Sequence, residues 1–372
     1  MPTIILYFNS YGFDMMEIMF LQSIFNVCLA VFEIPSGYFS DIIGRKKTLL
    51  SSAIFAILGF SIFAFTGGFL PFIFAEIILA MSSSLVSGTD SALLYESLNQ
   101  LDRKEDYLKY EGQISASGNF AEGAAAIIGT YLAMINLNFP YYGQVVLSVI
   151  GLIAISFIIE PEEAEKKDST NKIKQLLTVV VDTFKNAHLR WMILLSGLVG
   201  LGTLTAAWFA QEYFKAVDIP IEYNGYLWAA LQFVVGFGAW FVNGITKNRS
   251  FLMIAAIISV GISFSFILGG YFLAAWAICF IFSINFFRGL AEPYFKNVIN
   301  NLTDPSFRAT VLSVRGLVIR FSFAIISPII GWISDMYTIK YAFGAIGIFV
   351  FFASMIILLQ LKYLQKPKLP ED

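Results

Sequence analysis

Long runs of apolar residues, separated by short polar stretches, recur along almost the whole chain. About 20 helical residues cross a hydrocarbon core of about 30 Å, so a run of that length predicts a membrane-spanning α-helix. A shorter apolar run at 2–10 is interpreted as the second half of a first membrane helix whose beginning is missing. The pattern therefore predicts an all-α polytopic membrane protein with twelve segments, the first truncated. The runs long enough to span are 17–40, 48–66, 69–96, 110–135, 141–159, 191–214, 223–246, 251–269, 271–297, 309–334 and 339–362.

One long polar stretch, 160–190, interrupts this pattern and predicts the domain organisation. It is rich in Glu and Lys, and its second part, about 171–187, predicts a short amphipathic helix. Six segments precede it and six follow, so we expect an N-terminal six-helix bundle at 1–159 and a C-terminal one at 191–362. The stretch itself is predicted to be a cytoplasmic linker, and residues 363–372 a cytoplasmic tail.

The composition and the placement of basic residues predict the topology. Hydrophobic residues make up 58% of the chain and charged residues 13%, against about 25% charged in soluble domains. Lys and Arg cluster after the even-numbered segments and in the central stretch, whereas the opposite side receives only Lys215 and Lys340. Cytoplasmic loops carry such an excess of basic residues. We therefore expect a multi-pass protein of the cytoplasmic (inner) membrane, with the loops after segments two, four, six, eight and ten and the C-terminus in the cytoplasm.

The residue types that metal, redox and nucleotide chemistry need are scarce or scattered. Cys28 and Cys279 each lie within an apolar segment, which favours packing over a disulfide. The one histidine, His188, lies in the central polar stretch, so no transition-metal site has the ligand cluster that it would need. The sequence has no phosphate-binding Gly-x-x-x-x-Gly-Lys-Ser/Thr loop. We expect no cofactor, no metal, no nucleic-acid partner and no ATP-driven transport by this chain alone.

The most informative motif is the polar turn 37–47 between the second and third segments. It resembles the loop signature of the major facilitator superfamily, Gly-x-x-x-Asp-(Arg/Lys)-x-Gly-Arg-(Arg/Lys), although Ile42 stands where the family usually has a base. Weaker echoes of the signature occur at 243–249 and 331–335. With the segment count and the central basic stretch, the resemblance covers essentially the whole chain. The matching positions are Gly37, Asp41, Gly44, Arg45 and Lys46.

The resemblance implies two six-helix bundles around a central cavity, which opens alternately to each side of the membrane. The matching positions would form part of an inner gate, in which Asp41 can pair with Arg45 and the cluster latches the inner ends of the two halves together. The alternative is that the basic residues serve only as topology anchors. The phrases 33–37 and 87–96 look like those of bacterial transporters of this type, whose substrates are mostly unassigned.

Charged residues inside membrane spans are costly and tend to be functional. At about 1.5 Å per residue, Glu33 and Arg315 each lie roughly 10 Å from the cytoplasmic end of their segments. The resemblance implies that the second and eleventh helices face each other, so we hypothesise that these two residues pair when the inner gate is shut. The alternative is a partner for each within its own half. The resemblance also implies that an acid on the fourth segment, Asp90 or Glu96, joins Arg45 in this charge network.

Further ionisable residues are candidates for substrate or proton coupling. Glu122 and Arg320 lie near the predicted midplane of equivalent segments, where a carboxyl can carry a proton and a guanidinium can hold an anionic group. Interdomain or intradomain ion pairs are the alternative for both. Glu76 and Glu212 are two more candidates, and the alternative for both is simple solvation at the membrane interface. Arg288 and Glu292 are the last two, and the alternative for them is a ladder of ion pairs with Lys296 on the same helix.

Three side chains, Trp208, Gln211 and Asn285, are candidates for lining the cavity, with packing as the alternative for the Trp. We therefore expect a secondary active transporter, not an enzyme, that moves a small organic solute by alternating access with proton coupling, as a monomer in the lipid bilayer. One alternative is a non-transporting receptor or scaffold on a transporter fold, which should tolerate neutralisation of Glu122 or Arg320. Another is a membrane-embedded lipid-modifying enzyme, which would need a catalytic set that one histidine does not supply.

Overall fold

A computed structural model describes residues 2–161, 180–304 and 307–364 of the chain. Most of the central polar stretch and of its predicted amphipathic helix lies outside these ranges, and so does the tail after residue 364. Residues 180–185, which belong to the predicted amphipathic helix, are helical.

The described part of the chain consists of α-helices and short 3₁₀ turns, without a β-strand. Single 3₁₀ turns lie at Lys104–Asp106, Ile221–Tyr223 and Ala275–Ala277. The α-helices are α1 (Ile4–Ser10), α2 (Met15–Ile43), α3 (Arg45–Phe65), α4 (Phe69–Val86), α5 (Thr89–Gln100), α6 (Tyr107–Ile135), α7 (Phe139–Ser156), α8 (Ala187–Ala216), α9 (Asn224–Thr246), α10 (Phe251–Phe272), α11 (Ile278–Asn301), α12 (Arg308–Met336) and α13 (Ile339–Leu364).

Ten helical stretches in the described ranges are long and apolar enough to cross a membrane. They confirm the prediction of an all-α polytopic membrane protein. Helix α6 has 29 residues, but it is not among the ten because charged residues such as Glu111 and Glu122 lower its hydropathy. Helix α1, with 7 residues, is too short to span. The count of twelve segments therefore stays a prediction.

The predicted fourth segment, 69–96, is two helices rather than one. Helix α4 ends at Val86, and α5 begins at Thr89. Gly88 between them has a φ of +79°, a left-handed conformation that glycine adopts without steric cost. Apolar periodicity does not detect such a break, because the residues on both sides of it still suit a helix.

The start of the predicted tenth segment is also wrong. It was expected at residue 271, but α10 continues to Phe272 and α11 begins only at Ile278, after the 3₁₀ turn. The connecting residues include Leu273, Ala274 and Trp276, so hydropathy does not separate this turn from the helices that flank it.

The chain packs as two compact units, each of which takes in a short segment from the other half of the sequence. The first unit consists of Met1–Phe13, Phe20–Asn171 and Asn224–Tyr226. The second unit consists of Asp14–Met19, Lys172–Tyr223 and Leu227–Asp372. The start of α2 therefore belongs to the second unit.

Aromatic residues build the core of the first unit around helix α1. Tyr7 and Phe8 are almost fully buried, and the ring centroid of Tyr7 lies 4.1 Å from that of Tyr141 and 5.8 Å from that of Phe72. The Tyr7 hydroxyl donates a 2.5 Å hydrogen bond to the Phe63 carbonyl at the end of α3. This short helix is therefore part of the core rather than a peripheral extension.

Helix α8 forms the core of the second unit, and 72% of its most apolar window is buried. Glycines bring its neighbours close. A Cβ on Gly197 would lie 2.5 Å from the Val318 side chain on α12, and one on Gly347 of α13 would lie 2.9 Å from the Ser263 carbonyl on α10. Small residues of this kind let membrane helices pack backbone to backbone.

Candidate functional site

The signature turn in the first unit is organised by Arg45, the first residue of α3. Its Nη1 lies 2.9 Å from Asp41 Oδ1, and its Nη2 lies 3.0 Å from Glu96 Oε1. Nη1 also donates a 2.8 Å hydrogen bond to Ser40 Oγ. The guanidinium therefore connects the end of α2, the start of α3 and the middle of α5. Of the two acids expected on the fourth segment, Glu96 contacts Arg45, whereas an Asp90 oxygen accepts a 2.8 Å hydrogen bond from the neighbouring Ser91 N–H.

Glu160, which sequence reasoning did not single out, completes this turn. Its Oε1 accepts a 3.2 Å hydrogen bond from the backbone N–H of Lys46, in the first turn of α3. A carboxylate at this place satisfies a free N–H and interacts favourably with the helix dipole. Glu160 lies four residues after the end of α7, so the beginning of the central connector is held against the signature turn. No spacing rule in the signature points to position 160.

Gly44 is required at this turn by its backbone conformation. Its φ is +97° with ψ 156°, a conformation that is essentially restricted to glycine. A Cβ at this position would lie 2.5 Å from Glu160 Oε1. The second glycine of the signature, Gly37, differs, because it lies within α2 and a Cβ there would meet nothing within 4 Å.

This contrast predicts unequal effects of two alanine substitutions. Gly44→Ala should lower the free energy of unfolding by about 2 kcal/mol, since it forces alanine into a backbone conformation that is essentially restricted to glycine. Gly37→Ala, the matched control, should leave stability unchanged or raise it by up to about 1 kcal/mol, because alanine favours a helix. Thermal unfolding of the two purified variants measures the difference. Equal midpoints would contradict the role assigned to the backbone conformation of Gly44.

The two members of the predicted Glu33–Arg315 pair have other partners within their own units. Glu33 Oε1 accepts a 3.2 Å hydrogen bond from Ser87 Oγ, at the break between α4 and α5. Arg315 is 6% exposed, and its Nη2 lies 2.7 Å from Glu292 Oε2 while its Nε donates a 2.5 Å bond to Ser196 Oγ. Glu292 and Ser196 accept from all three nitrogens of the Arg315 guanidinium in this structure, and the pairing of Arg315 with Glu33 when the inner gate is shut stays a prediction.

The predicted ladder of Arg288, Glu292 and Lys296 on the tenth segment shares Glu292 with the contacts of Arg315. Lys296 Nζ lies 2.9 Å from Glu292 Oε1, one helical turn away. Helix α11 continues through Pro293. Glu292 therefore bridges a buried Arg on α12 and a half-exposed Lys on its own helix. Arg288 and Arg320 are half-buried and Glu122 is exposed, and their roles in coupling stay predictions.

Glu76 is a buried acid whose hydrogen-bond partner is a neutral amide. It is 4% exposed, and its Oε1 accepts a 2.8 Å hydrogen bond from Gln22 Nε2, which is itself buried. Among the described residues, no Lys, Arg or His forms an ion pair with it. The hydroxyl of Tyr141 nearby is buried and has no hydrogen-bond partner among the described residues. This region of the first unit is therefore buried and polar, and no cation among the described residues would balance a charge on Glu76.

The remaining candidates lie in the second unit. Glu212 lies 3.6 Å from Lys215, three residues further along α8. Asn285 is buried, and its amide donates to the Ile281 carbonyl one turn back, at 2.9 Å. Gln211 is buried and Trp208 is half-buried. Their contact with a substrate stays a prediction.

The described residues include no group of three or more His, Cys, Asp or Glu side chains that could hold a metal ion. Both cysteines are free thiols, with Cys28 half-buried and Cys279 exposed.

Three comparisons relate the chain to known proteins. The sequence profile described as Major Facilitator Superfamily matches residues 1–318. The uncharacterized MFS-type transporter YxaM of Bacillus subtilis (strain 168) is 24% identical over 384 aligned residues, covering 100% of this chain and 92% of that protein. A mutant of the nucleoside transporter NupG has a TM-score of 0.81 at 13% identity, covering 98% of this chain and 95% of that one. A POT family transporter in complex with 5-aminolevulinic acid has a TM-score of 0.75 at 14% identity, covering 98% and 93%.

Proposed function

The chain belongs to the major facilitator superfamily, and on this premise we propose that it is a secondary active transporter that moves a small organic solute by alternating access, coupled to protons. That it is a membrane transporter rather than an enzyme follows from the family. The proposal adds the mechanism, the coupling ion and the class of solute.

The single observation that carries proton coupling is the environment of Glu76. An isolated carboxylate in a low-dielectric interior is so costly that the group is neutral instead. Glu76 is 4% exposed and has a glutamine, Gln22, rather than a cation as its hydrogen-bond donor. A neutral Glu76 therefore carries a proton in the state described. If a conformational change opens the site to water, the proton can leave, and this is the requirement for coupling.

The charge cluster of the signature supports alternating access. Arg45, Asp41 and Glu96 lie on three helices and are only partly buried, so water can replace their mutual contacts at moderate cost. A cluster of this kind can open and close. The positive-inside pattern supports placing it at the cytoplasmic end of these helices, in the inner membrane.

The class of solute is proposed from the neighbours and the charge pattern. The structural neighbours are described as transporters of nucleosides or peptides, and one holds 5-aminolevulinic acid. All of these are small, polar organic molecules. Membrane-embedded Arg288 and Arg320 favour a solute with an anionic or strongly hydrogen-bonding group.

The proposal is tested in two steps with the purified full chain. A thermal-shift screen over nucleosides, amino acids, dipeptides, sugars and carboxylates, at pH 5.5 and 7.5, identifies solutes that stabilise the protein. Proteoliposomes then measure uptake of the best solute with and without an imposed pH gradient. We expect stabilisation by at least one class, and accumulation only when the gradient is present. Accumulation that ignores the pH gradient would refute proton coupling, and binding without flux would favour a receptor instead.

A further inference from the structure

Two backbone donors at the start of α2 are bound by an acid more than three hundred residues away. The N–H of Met15 donates a 2.9 Å hydrogen bond to Asp335 Oδ1, and the N–H of Met16 donates a 2.7 Å bond to Asp335 Oδ2. The separations along the chain are 320 and 319 residues. All of these residues belong to the second unit. One carboxylate therefore holds the first turn of α2.

The local sequence at the start of α2 leaves two backbone N–H groups available to this carboxylate. Asp14 and Glu17 form a capping box, in which Asp14 Oδ1 accepts from the Glu17 N–H at 2.8 Å and Glu17 Oε2 accepts from the Asp14 N–H at 3.2 Å. This box leaves the N–H groups of Met15 and Met16 without a local acceptor. Asp335 binds these two.

Asp335 is poorly placed for its own helix. It lies in the last turn of α12, where the negative end of the helix dipole disfavours a carboxylate. The same charge is favourable at the N-terminus of α2. The position of this acid is therefore explained by the contact with α2 rather than by α12.

Gly331, one turn earlier on α12, allows the approach. A Cβ on Gly331 would lie 2.7 Å from the Met15 carbonyl oxygen and 2.8 Å from the Met16 Cα. Gly331 and Asp335 have the same Gly-x-x-x-Asp spacing as Gly37 and Asp41 of the signature turn. The echo that the sequence contains at 331–335 thus has a definite contact.

We propose that Gly331 and Asp335 form an α2 latch, which holds the start of α2 against the end of α12 and must open in each transport cycle. Asp335 is a positioning residue: it fixes where α2 begins and does not bind solute. Opening replaces its two hydrogen bonds with bonds to water, so the latch is reversible. The opening step rests on the proposed transport function, whereas the latch itself does not.

Hydrogen exchange at the start of α2 tests the latch without any solute. In the purified full chain, Asp335→Asn removes the charge, and Gly331→Ala displaces α2 while keeping the charge. Both should speed exchange of the Met15 and Met16 amides about tenfold, the ratio that corresponds to about 1.4 kcal/mol. Asp218→Asn is the matched control, because this loop residue has a φ of 56°, which asparagine accepts. It should leave the exchange unchanged.

If both latch variants exchange like the parent protein, the latch does not exist. If Asp335→Asn does not fold, which thermal unfolding would show, the exchange rates of Gly331→Ala alone test whether the latch exists.

A short bis-maleimide bridge across Met16→Cys and Trp332→Cys, in a background without the native cysteines, tests the opening step. We expect the bridge to abolish transport of the solute found by screening, and retained flux would overturn the requirement to open. A parent protein without flux would refute the proposed function and leave the exchange result valid.

Discussion

Replacing Glu76 with Gln is expected to abolish accumulation of the solute against its gradient, while exchange of solute across the membrane continues. The buried carboxyl is the group that we propose to bind and release the coupling proton. Glutamine has the same shape and still offers an oxygen to Gln22 Nε2, now 2.8 Å from Glu76 Oε1. It cannot lose a proton at physiological pH. The substitution therefore separates coupling from the conformational cycle.

Proteoliposomes with an imposed pH gradient measure the accumulation, and counterflow without a gradient measures the exchange. Glu222→Gln, in the 3₁₀ turn before α9, is the matched control, because it removes an exposed acid and should leave both activities at the parent level. Gradient-driven accumulation by the Glu76→Gln protein would refute the assignment of Glu76 as the group that carries the coupling proton.

The same substitution predicts a change in how stability depends on pH. Ionisation of Glu76 in the folded protein would create a buried charge without a counter-ion, so raising the pH should destabilise the parent. The Glu76→Gln protein lacks this group and should show a flatter dependence. Glu76→Ala should show the same flatter dependence and be about 2 kcal/mol less stable than Glu76→Gln at every pH, because it leaves the buried Gln22 amide without its acceptor. Thermal unfolding midpoints between pH 5.5 and 8 measure all three proteins.

Replacing Glu292 with Ala is expected to lower the free energy of unfolding by about 2 kcal/mol. Breaking a fully buried ion pair costs about 3–5 kcal/mol because a charge is left uncompensated. Arg315 is such a charge, since its side chain is 7% exposed. The Glu292 side chain is 50% exposed, so water can partly replace it, and the expected cost is lower. Ser196 alone does not neutralise the guanidinium.

Two further variants make this prediction specific. Lys296→Met removes the exposed partner of Glu292 and should change stability by no more than about 0.5 kcal/mol. The double variant Glu292→Leu/Arg315→Met should recover most of the loss, because it removes both charges and retains apolar volume. Thermal unfolding in detergent measures the series. A double variant as unstable as Glu292→Ala would show that packing, rather than the unpaired charge, is responsible.

The fold followed from the sequence where one physical rule dominated. Hydropathy predicted the spanning helices, because a bilayer core requires runs of apolar residues of nearly fixed length. It did not predict the break at Gly88, since a glycine in a helical pattern is equally compatible with a straight helix. Nor did it predict the turn before Ile278, where Leu, Ala and Trp fill the connection. These features depend on backbone conformation rather than on transfer into lipid.

The candidate site followed from the sequence only as far as its contacts are local or belong to the signature. Asp41 and Arg45, four residues apart across the turn between α2 and α3, form the expected ion pair. Glu160 and Asp335 were not predicted as partners of helix starts, because each binds backbone N–H groups distant in sequence. A backbone donor has no residue type, so no motif identifies its acceptor. The sequence offers several acids as possible partners of Arg315, and only the packing of the helices shows that Glu292 is its ion-pair partner in this structure.

The hydrogen bonds from Met15 and Met16 to Asp335 also set an order of events during synthesis. Helix α2 leaves the ribosome long before the end of α12, and its first turn must wait for a carboxylate 319 and 320 residues later. At about 5–20 residues per second, that interval is on the order of 15–60 seconds. During this time the N–H groups of Met15 and Met16 depend on water or on the insertion machinery for acceptors. The first turn of α2 therefore reaches its final structure only after the end of α12 has been synthesised.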